Sequence, residues 1–504
     1  MTPRTLPRLA RTLARLHPLQ VLARPPQLAL ARLVRRVPST APPTLRDRWP
    51  DPPIALTALV DAERARARAR IDRLPNPSLL REFERAYALD LDLDDPLPNW
   101  NAPVALHPAP ASQRARALAV LARLGRRDLA PEIARAARAV ALRPELHLLG
   151  NHLLDNGIGL LAAAAVTRGP ESSLWRRLGA AITDWQLPRQ FLPDGGHAEG
   201  SATYHLSLTA NLLELIELSH AAGIATPTSY VTAARRALAW VAAVRAPDGT
   251  VPMFNDAALD AAPAADAVLA LGRALGLYDP ATPPPRVTRL HDTGWVIARV
   301  GRACLALKAG PDGDPEQPGH VHADALSFEL WVDGARAVVD PGVASYVDDA
   351  DRRWCRGTAA HNTVQVDGED TSEVWGAFRV GRRCAARVLS LRDDGDTVTV
   401  TATHDGYDHL PGRPRHTRAL TLRDGSLTVT DRVDGDFARA VARLRLDAEA
   451  ARWVRVEGDA LTVTEGERWF PAHGAARPAV VYARPVPRAE DVTVTVRWGP
   501  SAAV

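Results

Sequence analysis

The chain has 504 residues, of which 46% are hydrophobic and 24% charged, and a formal net charge of +4. This composition excludes a disordered chain and is enough to bury two cores. So small a net charge over this length excludes a dedicated nucleic-acid binder, whose cations gather on one motif or face.

Nearly all the positive charge is arginine, and Lys308 is the only lysine. That is either a compositional bias or a supply of planar forks for carboxylate and sulfate. The first stretch, 1–95, is rich in Arg and Pro and reads as a helical arm of short helices. Breakers such as Pro25-Pro26 and Pro42-Pro43 divide it. A secretory signal needs an unbroken apolar stretch of roughly 7–15 residues, and here Arg or Pro interrupts each one. No run of ~18 apolar residues occurs, so no transmembrane segment is expected. The arm could make weak contact with a membrane surface as a basic amphipathic helix, or pack as a helical arm on the following domain. By sequence the chain is placed in the cytoplasm or at the membrane periphery.

From 96 to 282 the pattern turns helical. Ala/Leu-rich segments such as ASQRARALAVLARLG, NHLLDNGIGLLAAAAV and YHLSLTANLLELIELSHAAG repeat apolar residues three and four apart. Short links between them predict antiparallel neighbours. Two polar clusters interrupt this region. In Asn151-His152-Leu153-Leu154-Asp155-Asn156, a helix puts His152, Asp155 and Asn156 on one face. The same residues also read as a cap at Asn151 and a satisfied buried histidine. In PDGGHAEGSATYH a Gly-rich turn feeds a helix with Glu199, Tyr204 and His205 near its start. It reads equally as a loop and a capped helix with Tyr204 in the core.

The triplet Pro283-Pro284-Pro285 marks a boundary, and from 286 to 504 the period falls to two. DTVTVTATH, SLTVTDRV, DALTVTEG and DVTVTVRWG, separated by Asp-Gly and Glu-Gly turns, predict an antiparallel β-sandwich. In GHVHAD a strand would put His320 and His322 on one face, where two imidazoles usually share a metal or a substrate. With Asp340 and His361, His322 would supply two nitrogens and one oxygen, a set that suits Zn2+. The three cysteines, Cys304, Cys355 and Cys384, are widely spaced and form no CxxC pair, so inert buried thiols are expected.

Taken together, ALRPELHLLGNHLLDN, PDGGHAEGSATYH, HVHADALSFELWVDGARAVVDPGVASY and RGTAAHNTVQVDGED resemble segments of the heparinase II/III family of polysaccharide lyases, in the family's order. PDGTVPMFNDAAL, with Asn255 and Asp256, and HDGYDHLPGRPRHTR look similar too. The resemblance covers about residues 96 to 440. It implies an α+β chain with an (α/α) toroid followed by an antiparallel β-sandwich. It implies β-elimination on acidic, uronate-containing polysaccharide, and a cell-envelope or periplasmic setting. It also implies that Tyr204, His152, His320 and Asn151 are catalytic and that Asp155, Glu199 and His205 meet substrate. His322, Asp340 and His361 would hold a structural zinc. Asp155 stands where a related member has glutamate. Tyr204 would act as base, acid or both, with His320 the competing base. Two other readings remain: a glycoside hydrolase using Glu199 and Asp155, and a non-catalytic glycan-binding or exopolysaccharide-assembly protein. A metal-dependent hydrolase is a third.

Overall fold

The three-and-four spacing of Ala and Leu is realised as helices, and the two-residue alternation as sheets. The computed structural model describes residues 5–33, 43–46, 49–71, 107–281 and 283–499. The parts of the expected arm and helical domain at 72–106 lie outside the described residues.

The helices are α1 (Thr5–Leu13), α2 (Pro18–Leu33), α3 (Ile54–Ile71), α4 (Pro108–Arg123), α5 (Ala130–Leu142), α6 (Gly150–Val166), α7 (Pro170–Gln190), α8 (Ala202–Ala221), α9 (Thr228–Val244), α10 (Ala265–Ala274) and α11 (Ala350–Arg356). α4, α6 and α8 are buried along most of their length; α6 is accordingly apolar nearly all round, whereas α4 buries Arg114, Arg116 and Arg123 among its alanines and leucines. α2 runs through Pro25 and Pro26, so this pair is not the breaker its sequence suggests. The helix gives up two backbone donors there instead.

Fifteen strands build two large antiparallel sheets: β1 (Val287–Leu290), β2 (Trp295–Val300), β3 (Ala303–Lys308), β4 (Phe328–Val332), β5 (Ala335–Val338), β6 (Val364–Val366), β7 (Ala386–Asp393), β8 (Thr397–His404), β9 (Arg415–Arg423), β10 (Ser426–Asp434), β11 (Ala440–Asp447), β12 (Val454–Glu457), β13 (Thr462–Ala472), β14 (Ala475–Pro485) and β15 (Val492–Trp498). The first sheet has the order β13-β14-β11-β5-β4-β3-β2-β1, with β6 also paired to β11. The second has the order β7-β8-β9-β10-β15-β12.

Successive side chains leave a strand on opposite faces, and β2 shows the consequence. Val296, Ala298 and Val300 join Val400, Leu420 and Val496 of the second sheet in one core. Trp295 and Ile297 enter the helical core instead. The first sheet is therefore covered on both faces, and its central strands read as continuous apolar runs. β8, β9 and β10 have one buried face and keep the clean alternation seen in the sequence.

The N-terminal arm ties these halves together. Arg11 Nε donates to Glu373 at 2.8 Å, and Thr12 Oγ1 donates to the Val380 carbonyl at 3.2 Å, so α1 docks on the sheet half. Gln20 Nε2 donates to the carbonyls of Leu148 and Glu316, each at 3.1 Å. α3 packs against α10. All three cysteines are free and buried. Among the described residues no helix is long and apolar enough to cross a membrane.

Candidate active site and metal-ligand triad

The entry to α6 is a strained turn. Leu149 and Gly150 both hold a φ of +62°, and a β-carbon on Gly150 would stand 2.6 Å from Glu199 Oε1. Only glycine fits both the dihedral and the space. The turn lets Glu199 reach the helix start, where Oε1 accepts from the Asn151 backbone N–H at 2.8 Å. The orphan donor and positive end of α6 are thus satisfied by a carboxylate distant in sequence. Asn151 is not the cap: it lies inside the helix, lines the cleft, and its buried Oδ1 has no hydrogen-bond partner among the described residues.

The next residue, His152, lines the same cleft. Its Nδ1 lies 3.2 Å from Oε1 of the fully buried Glu145. Burial opposes the charge on His152, but Glu145, with help from Glu199 and Asp155, outweighs it and raises the imidazole to about 9. His152 is therefore a cation at neutral pH. Asp155 also faces the cleft, with its oxygens accepting from Asn211 at 2.7 Å and Gln113 at 2.6 Å. Burial raises its carboxyl, against the pull of Arg116.

Tyr204, in the first turn of α8, lines the cleft with Tyr346, and their hydroxyls are 2.9 Å apart. Burial, then Tyr346 and the nearby Asp256 and Glu199, push the Tyr204 phenol well above its usual value. It is a neutral phenol in the free protein. The His320 ring lies behind it, with centroids 4.2 Å apart. Nδ1 of His320 is 2.9 Å from Asp256 Oδ2, and Nε2 is 3.4 Å from Glu199 Oε2. Burial lifts Glu199 to about 7, against the opposing pull of His320.

Three expectations from the sequence change here. Glu199, expected to meet substrate, is buried outside the cleft lining, where it holds the Asn151 N–H. His205 is fully buried, donates from Nε2 to the Ala237 carbonyl at 3.1 Å, and packs on Trp240. Burial lowers it to about 4. It is a core histidine and does not reach the cleft, because the residue after Tyr204 on a helix points about 100° away from it. His320 and His322 do not share a strand face either. His320 closes a short 3₁₀ turn, Pro318–His320, so no strand pleat aligns the two rings. What they share is the carboxylate of Asp256, which also takes both terminal nitrogens of Arg352.

His322, Asp340 and His361 do come together. One ligand atom from each lies within 4.8 Å of the others, and all three residues are buried. Nδ1 of His322 and Nε2 of His361 have no hydrogen-bond partner among the described residues. A buried imidazole nitrogen without a partner is costly, and a metal ion would satisfy it. Burial lowers His322 to about 4, which keeps it neutral as a ligand must be. Its Nε2 is held by Asp256, the outer partner that a ligating histidine needs. These residues fit a metal ion.

The cleft, with the open solvent at its mouth, spans about 910 Å³ between α4, α6, α8 and, unexpectedly, α3, which brings Glu63, Arg66 and Arg70. The sequence assigns no role to these three, nor to Glu145, Tyr346, Arg352 or Asp256. Glu145, Asp256 and Tyr346 lie within the family-like segments; the α3 residues carry no signal above the Arg-rich background.

Comparisons with known proteins agree with this layout. The family description "Heparinase II/III N-terminus" matches residues 135–270, and "Heparinase II/III-like, C-terminal" matches residues 282–493. The chain is similar to a heparin-sulfate lyase of Bacteroides thetaiotaomicron, 24% identical over 312 residues, which is 54% of this chain and 42% of the relative. It is similar over a shorter stretch to an alginate lyase of Stenotrophomonas maltophilia, 27% identical over 136 residues, 20% of this chain and 18% of the relative. The chain thus spans less than half the length of these curated relatives. A crystal structure of heparinase III shares the fold, with a TM-score of 0.64 at 16% identity, covering 94% of this chain and 90% of that one.

Proposed function

The chain belongs to the heparinase II/III-like family, and from that premise we propose that it is a polysaccharide lyase that cleaves uronate-containing glycans by β-elimination. The observation that carries the reading is the pairing, in one cleft, of a neutral tyrosine with a histidine held as a cation.

The chemistry demands both. The proton on C5 of a uronate is poorly acidic beside an ionised carboxylate, and its loss builds a dianion. His152 and the amide of Asn151 would bind that carboxylate and spread its charge as the proton leaves. Tyr204, protonated in the free protein, would donate to the glycosidic oxygen as the C4–O bond breaks and the C4=C5 bond forms. His320 is the competing base, but its free Nε2 faces Glu199 and its ring does not line the cleft, so the C5 proton would pass to the Tyr204 oxygen as the phenol's own proton goes to the leaving oxygen. Asp155 and Glu63 lie where they would contact the sugar hydroxyls. Glu199 would act from behind, through Asn151 and His320.

The metal is Zn2+ in this reading, because two imidazoles and one carboxylate leave a fourth position for water. Its chemistry is structural: the ion would tie the segments at 322, 340 and 361 together below His320. The helices from 96 to 282 form the (α/α) toroid domain, and the two sheets from 286 to 504 form the β-sandwich. The arm, 1–95, completes the cleft through α3. The substrate in this reading is an acidic polysaccharide.

A glycoside hydrolase would need two carboxylates facing one bond. Glu199 is 1% exposed and does not line the cleft, which disfavours that pair. The test is ultraviolet absorbance, reporting the new double bond, during incubation with a panel of uronate polysaccharides. A rise with the wild type and none with Tyr204→Phe supports elimination. A flat trace across the panel with reducing ends released supports hydrolysis. A flat trace with tight glycan binding supports a non-catalytic binder.

A further inference from the structure

Asp256 stands at the junction of the two sites. Its Oδ2 lies 2.9 Å from Nδ1 of His320 and its Oδ1 lies 2.8 Å from Nε2 of His322. Arg352 donates to both oxygens, with Nη2 at 2.8 Å from Oδ2. Asp256, His322 and Arg352 are fully buried and His320 is 9% exposed. A carboxylate gripped by both prongs of a guanidinium is ionised and can only accept. Each imidazole must therefore donate from the nitrogen that faces Asp256.

That one requirement sets two tautomers. His320, when neutral, keeps its lone pair on Nε2, the nitrogen facing Glu199. His322 keeps its lone pair on Nδ1, the nitrogen that has no protein partner and faces Asp340 and His361. There is little slack in the arrangement. The Asp256 backbone N–H donates to the His320 carbonyl at 3.0 Å. The His322 backbone N–H donates to Asn255 Oδ1 at 3.0 Å. The Arg352 guanidinium itself packs against Tyr346 and Phe378, 5.2 Å from each ring centroid.

We infer that Asp256 is a positioning residue that couples the metal-ligand triad to His320. A ligand ring and the imidazole beside Tyr204 hang from the two oxygens of one anion, so occupancy of the triad sets the orientation of His320. With His322 fixed by an ion at Nδ1, its Nε2–H fixes Oδ1 of Asp256, and the rigid carboxylate then presents Oδ2 to His320. With Nδ1 released, the His322 ring can turn, and Asp256 is held by Arg352 alone. This inference rests on the metal reading above.

The experiment is imidazole nitrogen NMR on histidine-labelled protein, zinc-loaded and chelator-stripped, with His320→Gln used to identify the His320 signals. Metal content, kcat and KM are measured on the same samples. Stripping should move the His320 nitrogen signals and lower kcat about tenfold or more, with KM changed less than about twofold. Asp256→Asn should weaken zinc binding by about 10–100-fold and leave His320 signals that no longer respond to zinc. A wild-type protein that takes up no zinc overturns the metal reading, and this inference with it. Zinc uptake with His320 signals unmoved by stripping overturns the coupling alone. The wild-type comparison decides the matter even where Asp256→Asn does not fold.

Discussion

The hydroxyls of Tyr204 and Tyr346 are 2.9 Å apart at the mouth of the cleft, so the phenol assigned to the leaving oxygen is oriented by a second phenol. Tyr204→Phe should cost about 10²–10⁴-fold in kcat, the usual worth of a positioned proton donor, with thermal stability kept. Tyr346→Phe removes one hydrogen bond, worth about 1 kcal/mol, and should cost only several-fold. Equal losses in the two variants, measured by ultraviolet absorbance, would assign the chemistry to the pair.

His152 gives a pH signature. Its folded value, about 9, lies above the ordinary 6.5 because of Glu145. The stability it contributes is fully present below about 6.5 and is lost as pH rises through about 9. Its charge on the substrate follows the same course, so KM for a uronate chain should rise as pH passes about 9. In Glu145→Gln that rise should begin at lower pH. A KM profile unaltered by Glu145→Gln would remove His152 from carboxylate binding.

Glu199 behaves in the opposite sense to an ordinary carboxylate. Burial lifts it to about 7 from 4.5, so the folded state holds its proton more tightly than the unfolded chain. Its contribution is greatest below about 4.5 and is lost as pH rises through about 7. Glu199→Gln keeps an acceptor for the Asn151 N–H and carries no charge. Relative to wild type, its melting temperature should climb between about pH 4.5 and 7. A constant difference across that range would show that Glu199 is ionised throughout.

A metal ion held by the triad would make stability depend on metal. An ion present at about 100 times its Kd adds about 2.7 kcal/mol to the folded state, so chelation should lower the melting temperature. His322→Ala and His361→Ala should each lose the bound ion and most of the response to chelator. Unchanged metal content in His322→Ala would sink the assignment.

Gly150→Ala tests the turn into α6. The φ of +62° costs an L-residue roughly 1–2 kcal/mol, and the new methyl would press on Glu199 Oε1. Both stability and kcat should fall, the second because Asn151 and His152 follow directly. A stable, fully active Gly150→Ala would mean that the Glu199 contact with α6 is dispensable.

Local pattern carried much of this protein. The spacing of Ala and Leu in NHLLDNGIGLLAAAAV determines that α6 is a buried helix, and the alternation in DTVTVTATH determines β8, because burial on one face imprints a period on the chain. The same logic hid β2 and β3, which are buried on both faces and carry no alternation. His322, Asp340 and His361 could be chosen as a ligand set from their residue types, and the triad brings them together. Tyr204 could be placed at a helix start beside a Gly-rich turn.

Tertiary structure alone decided which polar groups meet. Nothing local separates Tyr204, which faces the cleft, from His205, which faces the core; the packing of α8 against α9 sets that rotation. Glu199 reaches the start of α6 only because Leu149 and Gly150 turn left-handed. Asp256 finds His320, His322 and Arg352 across 64 to 96 residues of chain. A sequence period records burial and backbone dihedrals, which each residue meets locally. The partner of a buried charge is chosen by whichever opposite charge the fold brings within hydrogen-bond reach, and one chain read alone holds no trace of that distance.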